Sequence, residues 1–192
     1  MSAVFERLHG GFKNISQVAV WLGGFALLLS AIMVTLDVIF RKLFGLTLSG
    51  SDEITGYVFA AATTWAYSFC LLNRSNIRID ALYNTLSIKP RAVLDVIGMV
   101  LLAYYVYLLT VSGFEMFVEN LEYNSSAQTT LATPLWIPQT FWLSGLAFFL
   151  VCLVFLVIYG LFALLRKDWS TVSRIAGIKT VEEEISEETF VK

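Results

Sequence analysis

Four stretches of this chain carry no charged side chain: residues 14–36, 54–73, 96–114 and 123–165. A hydrocarbon layer about 30 Å thick takes roughly 20 helical residues to cross. Backbone amides inside lipid must bond within their own segment, so runs of this kind read as helices. The first three runs each fit one crossing. The fourth is too long for one and opens with a polar, proline-bearing part, which places its span toward the end. The pattern predicts an all-α membrane protein with four transmembrane helices, at about 15–40, 53–73, 92–118 and 139–165. Residues 15–165 then form one membrane domain, between an N-terminal segment (1–14) and a C-terminal tail (166–192).

Composition supports that class. The chain is 57% hydrophobic and 15% charged, with mean hydropathy +0.73, against the larger charged share of a soluble domain. The positions of the charges orient it. Arg41 and Lys42 follow the first span, and no basic residue lies between spans three and four. Placing both termini in the cytoplasm puts eleven of the thirteen basic residues on that side, as the excess of Lys and Arg in cytoplasmic loops requires.

The two ends differ. The first apolar run is too long for a cleavable signal and lacks a small-residue cleavage site. Phe5, Leu8, Phe12 and Ile15 recur at near-helical spacing with Glu6, Arg7 and Lys13 among them. That pattern fits either a short interfacial helix hinged at Gly10-Gly11 or a frayed terminus. At the other end, Val181-Glu-Glu-Glu-Ile-Ser-Glu-Glu188 reads as a solvated cytoplasmic tail.

Several chemistries lack their residues. The one histidine, His9, lies outside every predicted span, so no histidine pair can hold a haem and no Ser/His/Asp triad is placed. Cys70 and Cys152 form neither a CxxC nor a zinc pattern and read as buried small side chains. There is no GxxxxGK[ST] phosphate loop. No enzyme activity, cofactor, metal or nucleic-acid partner is expected.

The informative charges sit at span edges. Asp37 and Arg41 are one helical turn apart and within pairing reach. A carboxylate at mid-bilayer costs about 2.5–3.5 kcal/mol on insertion scales, and less near the surface. The pair serves either as a depth anchor or as a contact with a partner protein; a proton relay is a third use, disfavoured by the neighbouring arginine. Ser51 or Asp52 suits the cap of the second span, and Glu53 suits its dipole or an interface. Gly56, Ala60, Ala61, Ala62, Thr63 and Thr64 give that span a small-residue surface for close helix approach. Arg91 and Asp95 repeat the one-turn spacing. Glu115, Glu119 and Glu122 share one helical face, either as a solvated stripe or as a docking surface. Trp136 stands near two prolines in the following loop, as an interfacial aromatic would.

Four pieces occur in order: Asp37-x-x-x-Arg41, Asp52-Glu53, Arg74-Ser-Asn-Ile-Arg78-Ile-Asp80, and Gln128-Thr-Thr-Leu-Ala-Thr-Pro134-Leu-Trp136. Over residues 15–165 the chain resembles the small, four-helix, DctQ-like membrane subunit of a tripartite ATP-independent periplasmic (TRAP) transporter. Asn76 departs from the histidine often found at that position. The resemblance implies a bacterial inner-membrane location and two protein partners. These are a large multi-span transport subunit, which this chain would scaffold, and a periplasmic substrate-binding protein. It also implies sodium-driven import of an organic acid. Asp37, Arg41, Glu53, Arg78 and Asp80 are the expected structural or interface residues, and Glu115, Glu119 and Glu122 the expected docking residues. A rival function from another class is a self-sufficient oligomeric channel or exporter, whose path would have to use Thr35, Asp37, Thr63 and Thr64.

Overall fold

A computed structural model describes residues 3–47, 49–75 and 86–177. Five helices account for most of them: α1 (Ala3–Phe44), α2 (Ser51–Leu72), α3 (Ile88–Glu122), α4 (Trp136–Leu165) and the short α5 (Trp169–Ala176). No strand occurs among the described residues; Ser126 and Pro134 form one isolated bridge.

Three described helices are long and apolar enough to cross a bilayer: Phe5–Phe44 of α1, Ile88–Glu122 and Trp136–Leu165. α2 has 22 residues, about 33 Å of helix, which suffices in length. Its most apolar stretch falls short of theirs, because freedom from charge is not the same as hydrophobicity. Gly56, Thr63, Thr64 and Ser68 dilute its Leu and Phe content.

The packing order explains how α2 tolerates that composition. α1 lies on α2, α2 on α4, and α4 on α3, so α2 is flanked on both sides by protein. A glycine Cβ at position 23 of α1 would stand 3.1 Å from the Ala62 methyl, so these two helices are close. On the other side Gly145 of α4 seats against Thr64 and Trp65. The threonine hydroxyls of α2 turn back to their own helix: Thr55 donates to Ser51 O at 2.8 Å and Thr63 to Phe59 O at 2.7 Å. Small residues for close approach and self-satisfied threonine hydroxyls suit a helix flanked by protein on both sides.

Directions follow from the contacts. Trp65 Nε1 donates to Phe141 O at 3.1 Å and Tyr67 meets Phe149, so α2 and α4 run parallel. Gly113 faces Trp142 while Gly160 faces Met99, so α3 and α4 run antiparallel. Phe5 stacks on Phe155 and Tyr159, and Phe12 meets Phe148 edge-on, which sets α1 antiparallel to α4. The start of α1 and the end of α4 therefore share one end of the bundle, the terminal end. The α1–α2 and α3–α4 connections share the other, the hairpin end. Short connections lead one to expect sequence neighbours side by side. α2 and α3 break that expectation, because α4 lies between them.

Two local expectations also differ. α1 runs unbroken through Gly10-Gly11, where the sequence suggests a hinge. Phe5 and Phe12 hold that first part on α4, so packing outweighs the weak helix propensity of two glycines. The cap of α2 is neither Ser51 nor Asp52 but Gly50, at φ 96°, with no side-chain cap bond. A Cβ there would run into Leu131 at 2.3 Å, so glycine admits both the left-handed backbone and the leucine above it.

The core follows α4. Cys152, Leu153 and Leu156 are fully buried, with Val96 and Met99 of α3 and Val172 of α5 packed around them.

Candidate functional site

The hairpin end gathers most of the residues that the sequence singles out. Between α3 and α4 the chain folds into a small loop hairpin. Ala127 N donates to Thr133 O at 2.9 Å, Leu135 N to Ser125 O at 3.0 Å, and a turn at Thr129–Ala132 closes the tip. Ala132 sits there at φ 47°.

Glu53, in the first turn of α2, holds this hairpin. Its Oε1 accepts from Tyr57 Oη at 2.8 Å, and its Oε2 accepts from the Thr129 hydroxyl. Thr133 also meets the carboxylate through its side chain and backbone. A carboxylate bonded only by neutral donors keeps its charge and tethers several chain segments at once. The sequence singles out Glu53 and the Gln128–Trp136 motif separately; the structure joins them. The missing signal was the pairing partner, since hydroxyls 76 residues away leave no periodic trace in sequence.

Asp37 lies further along α1. Gly23 and Ala62 fix the register of α1 against α2. From there α1 continues about 32 Å to its end, while α2 reaches back only about 17 Å to its start. α1 therefore outruns α2 by about 15 Å at the hairpin end. Asp37 stands in this overhang, 1% exposed. Arg41 pairs with Oδ2, and the Thr47 hydroxyl donates to Oδ1 at 3.2 Å. Thr47 belongs to the α1–α2 linker, so the linker must run back down along α1. The pair is asymmetric: the arginine side chain is 57% exposed and the aspartate side chain 2%. Besides Arg41, the overhang exposes Val38, Leu43, Phe44 and Leu46.

Glu115, Glu119 and Glu122 are all exposed on the last two turns of α3. Asp95, near the start of α3, is buried. Arg78 and Asp80 lie outside the described residues.

Among the described residues, two apolar grooves lie on the sides of the bundle. The larger, about 850 Å³, is floored by Val58 and Ala61 of α2 and walled by Val18 and Leu22 of α1 and Phe141 of α4. The smaller, about 650 Å³, runs between α3 and α4 beside Tyr107 and Phe114, with Glu115 at its edge. Among the described residues no three His, Cys, Asp or Glu side chains converge as a metal site would require.

Residues 30–167 match the DctQ component of tripartite ATP-independent periplasmic transporters, well over half the chain. The chain belongs to this family. Neither a curated protein nor a solved structure matches it. Membership in the DctQ family makes it a component of a transporter and a membrane protein. It also implies association with the large membrane subunit and the periplasmic binding protein of such a system. The family match includes Asp37, Arg41, Glu53 and the whole loop hairpin, and it begins within α1 beyond Gly23.

Two further contacts went unread in the sequence. One is the aromatic stack of Phe5, Phe155 and Tyr159 that fastens α1 to α4, with ring centroids 3.6 Å apart for Phe5 and Tyr159. The other is Asp168, which caps α5 by accepting from Thr171 N at 3.1 Å. An Asp followed three residues later by Thr, ahead of an apolar Val172, was a legible start signal.

Proposed function

We propose that this chain is the scaffold subunit of a TRAP transporter, bracing a large transport subunit that imports an organic acid on a sodium gradient. A periplasmic binding protein delivers the cargo. The chain crosses the bacterial inner membrane four times with both termini in the cytoplasm, α2 being the protein-flanked span. Support for the orientation comes from the distribution of basic residues and from the start of α1 and the end of α4 sharing one end of the bundle.

The observation that carries the scaffold role is the shape of the membrane surface. α1 touches the rest of the bundle along one side and leaves Trp21, Leu22, Phe25 and Leu28 exposed, beside an open groove of about 850 Å³. An apolar groove between helices offers a seat for a helix of another membrane subunit. Asp37, Arg41, Glu53, Arg78 and Asp80 are assigned to holding this frame and its interface. Glu115, Glu119 and Glu122 are assigned to receiving the binding protein.

The test is a mild-detergent pull-down of tagged chain from its native membrane, with partners identified by mass spectrometry. Stoichiometric recovery of one much larger multi-span protein is expected. Recovery of the chain alone, or as a homo-oligomer that conducts ions after reconstitution, would overturn the scaffold role in favour of a channel.

A further inference from the structure

The terminal end of the bundle presents cations in one repeated setting. Arg7 of α1 is exposed next to Leu8, which is itself 48% exposed. Lys89 of α3 is exposed next to Ile88, at 50%. Arg166 and Lys167, after α4, are exposed next to Leu165, at 82%. Each of these apolar residues lies at the end of a long apolar helix, outside its expected span or, for Leu165, at the last residue of it. The cation beside each therefore stands where hydrocarbon gives way to headgroups, the depth to which Lys and Arg stems reach.

The α4–α5 turn holds its two cations in place. Arg166 lies over the Phe162 ring, 4.2 Å from its centroid, and Lys167 adopts φ 58° in a tight left-handed turn. The next residue, Asp168, is the nearest carboxylate in sequence; it is turned toward α5, where its oxygens accept from Ser170 and Thr171. α5 packs on α3 and α4 and so ties this turn to the start of α3.

We propose that the terminal end binds anionic phospholipid headgroups, with Arg166, Lys167 and Lys89 as the phosphate ligands and Arg7 and Lys13 beside them. The proposal is independent of the transported cargo and of the partner subunit. It gives the bundle a fixed depth and rotation in the leaflet that touches this end, because cations from α1, α3 and the α4–α5 turn engage lipid together.

Full-length chain in detergent is mixed with equal amounts of phosphatidylglycerol and phosphatidylcholine, and bound lipid is counted by native mass spectrometry. Phosphatidylglycerol should be retained preferentially. Each of Lys167→Gln and Arg166→Gln should lower that preference about fivefold, on the scale of one cation at an anionic surface. Arg166→Lys should keep most of it, and Lys42→Gln at the opposite end should leave it unchanged. Circular dichroism confirms that each variant remains folded. Equal retention of the two lipids, or a Lys42→Gln loss matching that of Lys167→Gln, would sink the proposal. So would displacement of the bound lipid by millimolar glycerol phosphate, which would make the site one for a soluble phosphate.

Discussion

The Thr129 hydroxyl donates to Glu53 across 76 residues of sequence, and so fastens the loop between α3 and α4 to the first turn of α2. Tyr57 and Thr133 meet the same carboxylate. Removing it frees three partners at once. Glu53→Ala should raise amide exchange over residues 125–135 roughly tenfold, the scale of losing one bond to a charged acceptor. Glu53→Gln should do less, because it keeps one acceptor oxygen. Exchange at the α3–α4 seam should not change. Equal protection of the hairpin in wild type and Glu53→Ala would show that Leu131 packing over Gly50 holds the loop without the carboxylate.

Close approach of α2 and α4 depends on Gly145. A Cβ at that position would lie 2.6 Å from Thr64 Oγ1 and 2.9 Å from the Trp65 backbone nitrogen. A backbone atom cannot step aside as a side-chain tip can, so the helices must separate. Gly145→Ala should destabilise the protein by about 1–3 kcal/mol, in the range of overpacked cores. Gly98 is the control: nothing lies within 4 Å of its added Cβ. Gly98→Ala should be neutral or stabilise by up to about 1 kcal/mol through helix propensity. Thermal unfolding of the two variants in one detergent separates the predictions by sign.

Asp37 and Arg41 make an unequal pair, with the acid buried and the base largely in the open. Arg41→Gln leaves a carboxylate in a dry site, whereas Asp37→Asn leaves a guanidinium that can still reach polar surroundings. The arginine change should therefore be the more damaging. The double variant should cost less than the two single costs combined, by about 0.5–3 kcal/mol of coupling. Additive costs in unfolding experiments would mean that Thr47 and the helix end stabilise Asp37 without help from Arg41.

What the sequence makes legible is the solvent and the helices. Charge-free runs of about 20 residues fit one crossing of a bilayer, and over three of the four runs the chain forms long apolar helices, α1, α3 and α4. The helices extend past the expected spans, α3 starting at Ile88 and not near 92, because helical backbone continues beyond the hydrocarbon. The one-turn spacing of Asp37 and Arg41 also announces its ion pair, since both partners lie on one helix face. Long-range partners are another matter. Nothing in Phe5 points to Tyr159, and nothing in Glu53 points to Thr129, because side chains from distant helices meet only once the packing order is set. That order has α4 between α2 and α3, with Gly145 letting α4 close onto Thr64 and Trp65 of α2. The α2 cap illustrates a different limit. Ser51 and Asp52 have the right chemistry, yet Gly50 takes the position because Leu131, contributed by a loop 81 residues later, needs the space.

Asp168 gives the terminal end a pH dependence whose sign is fixed by its bonds. The Thr171 and Ser170 hydroxyls, with the Thr171 amide, hold its carboxyl down to about 2, below the ordinary value of 3.8. A group with a depressed folded-state pKa contributes stability above its unfolded pKa and loses it as pH falls through the folded one. The cap is thus fully in force above about pH 4 and is lost progressively down to about pH 2. Over that window α5 should fray from its first turn, exposing half-buried Trp169 and then Val172, which is fully buried in the intact helix. Asp168→Asn should abolish the pH dependence while keeping part of the cap, since asparagine is also a good N-cap residue. Asp168→Ala should fray α5 at every pH. The check is amide exchange of 169–176 between pH 2 and pH 5, corrected for intrinsic rates. Protection in Asp168→Asn that falls with pH as steeply as in wild type would assign the transition to another group.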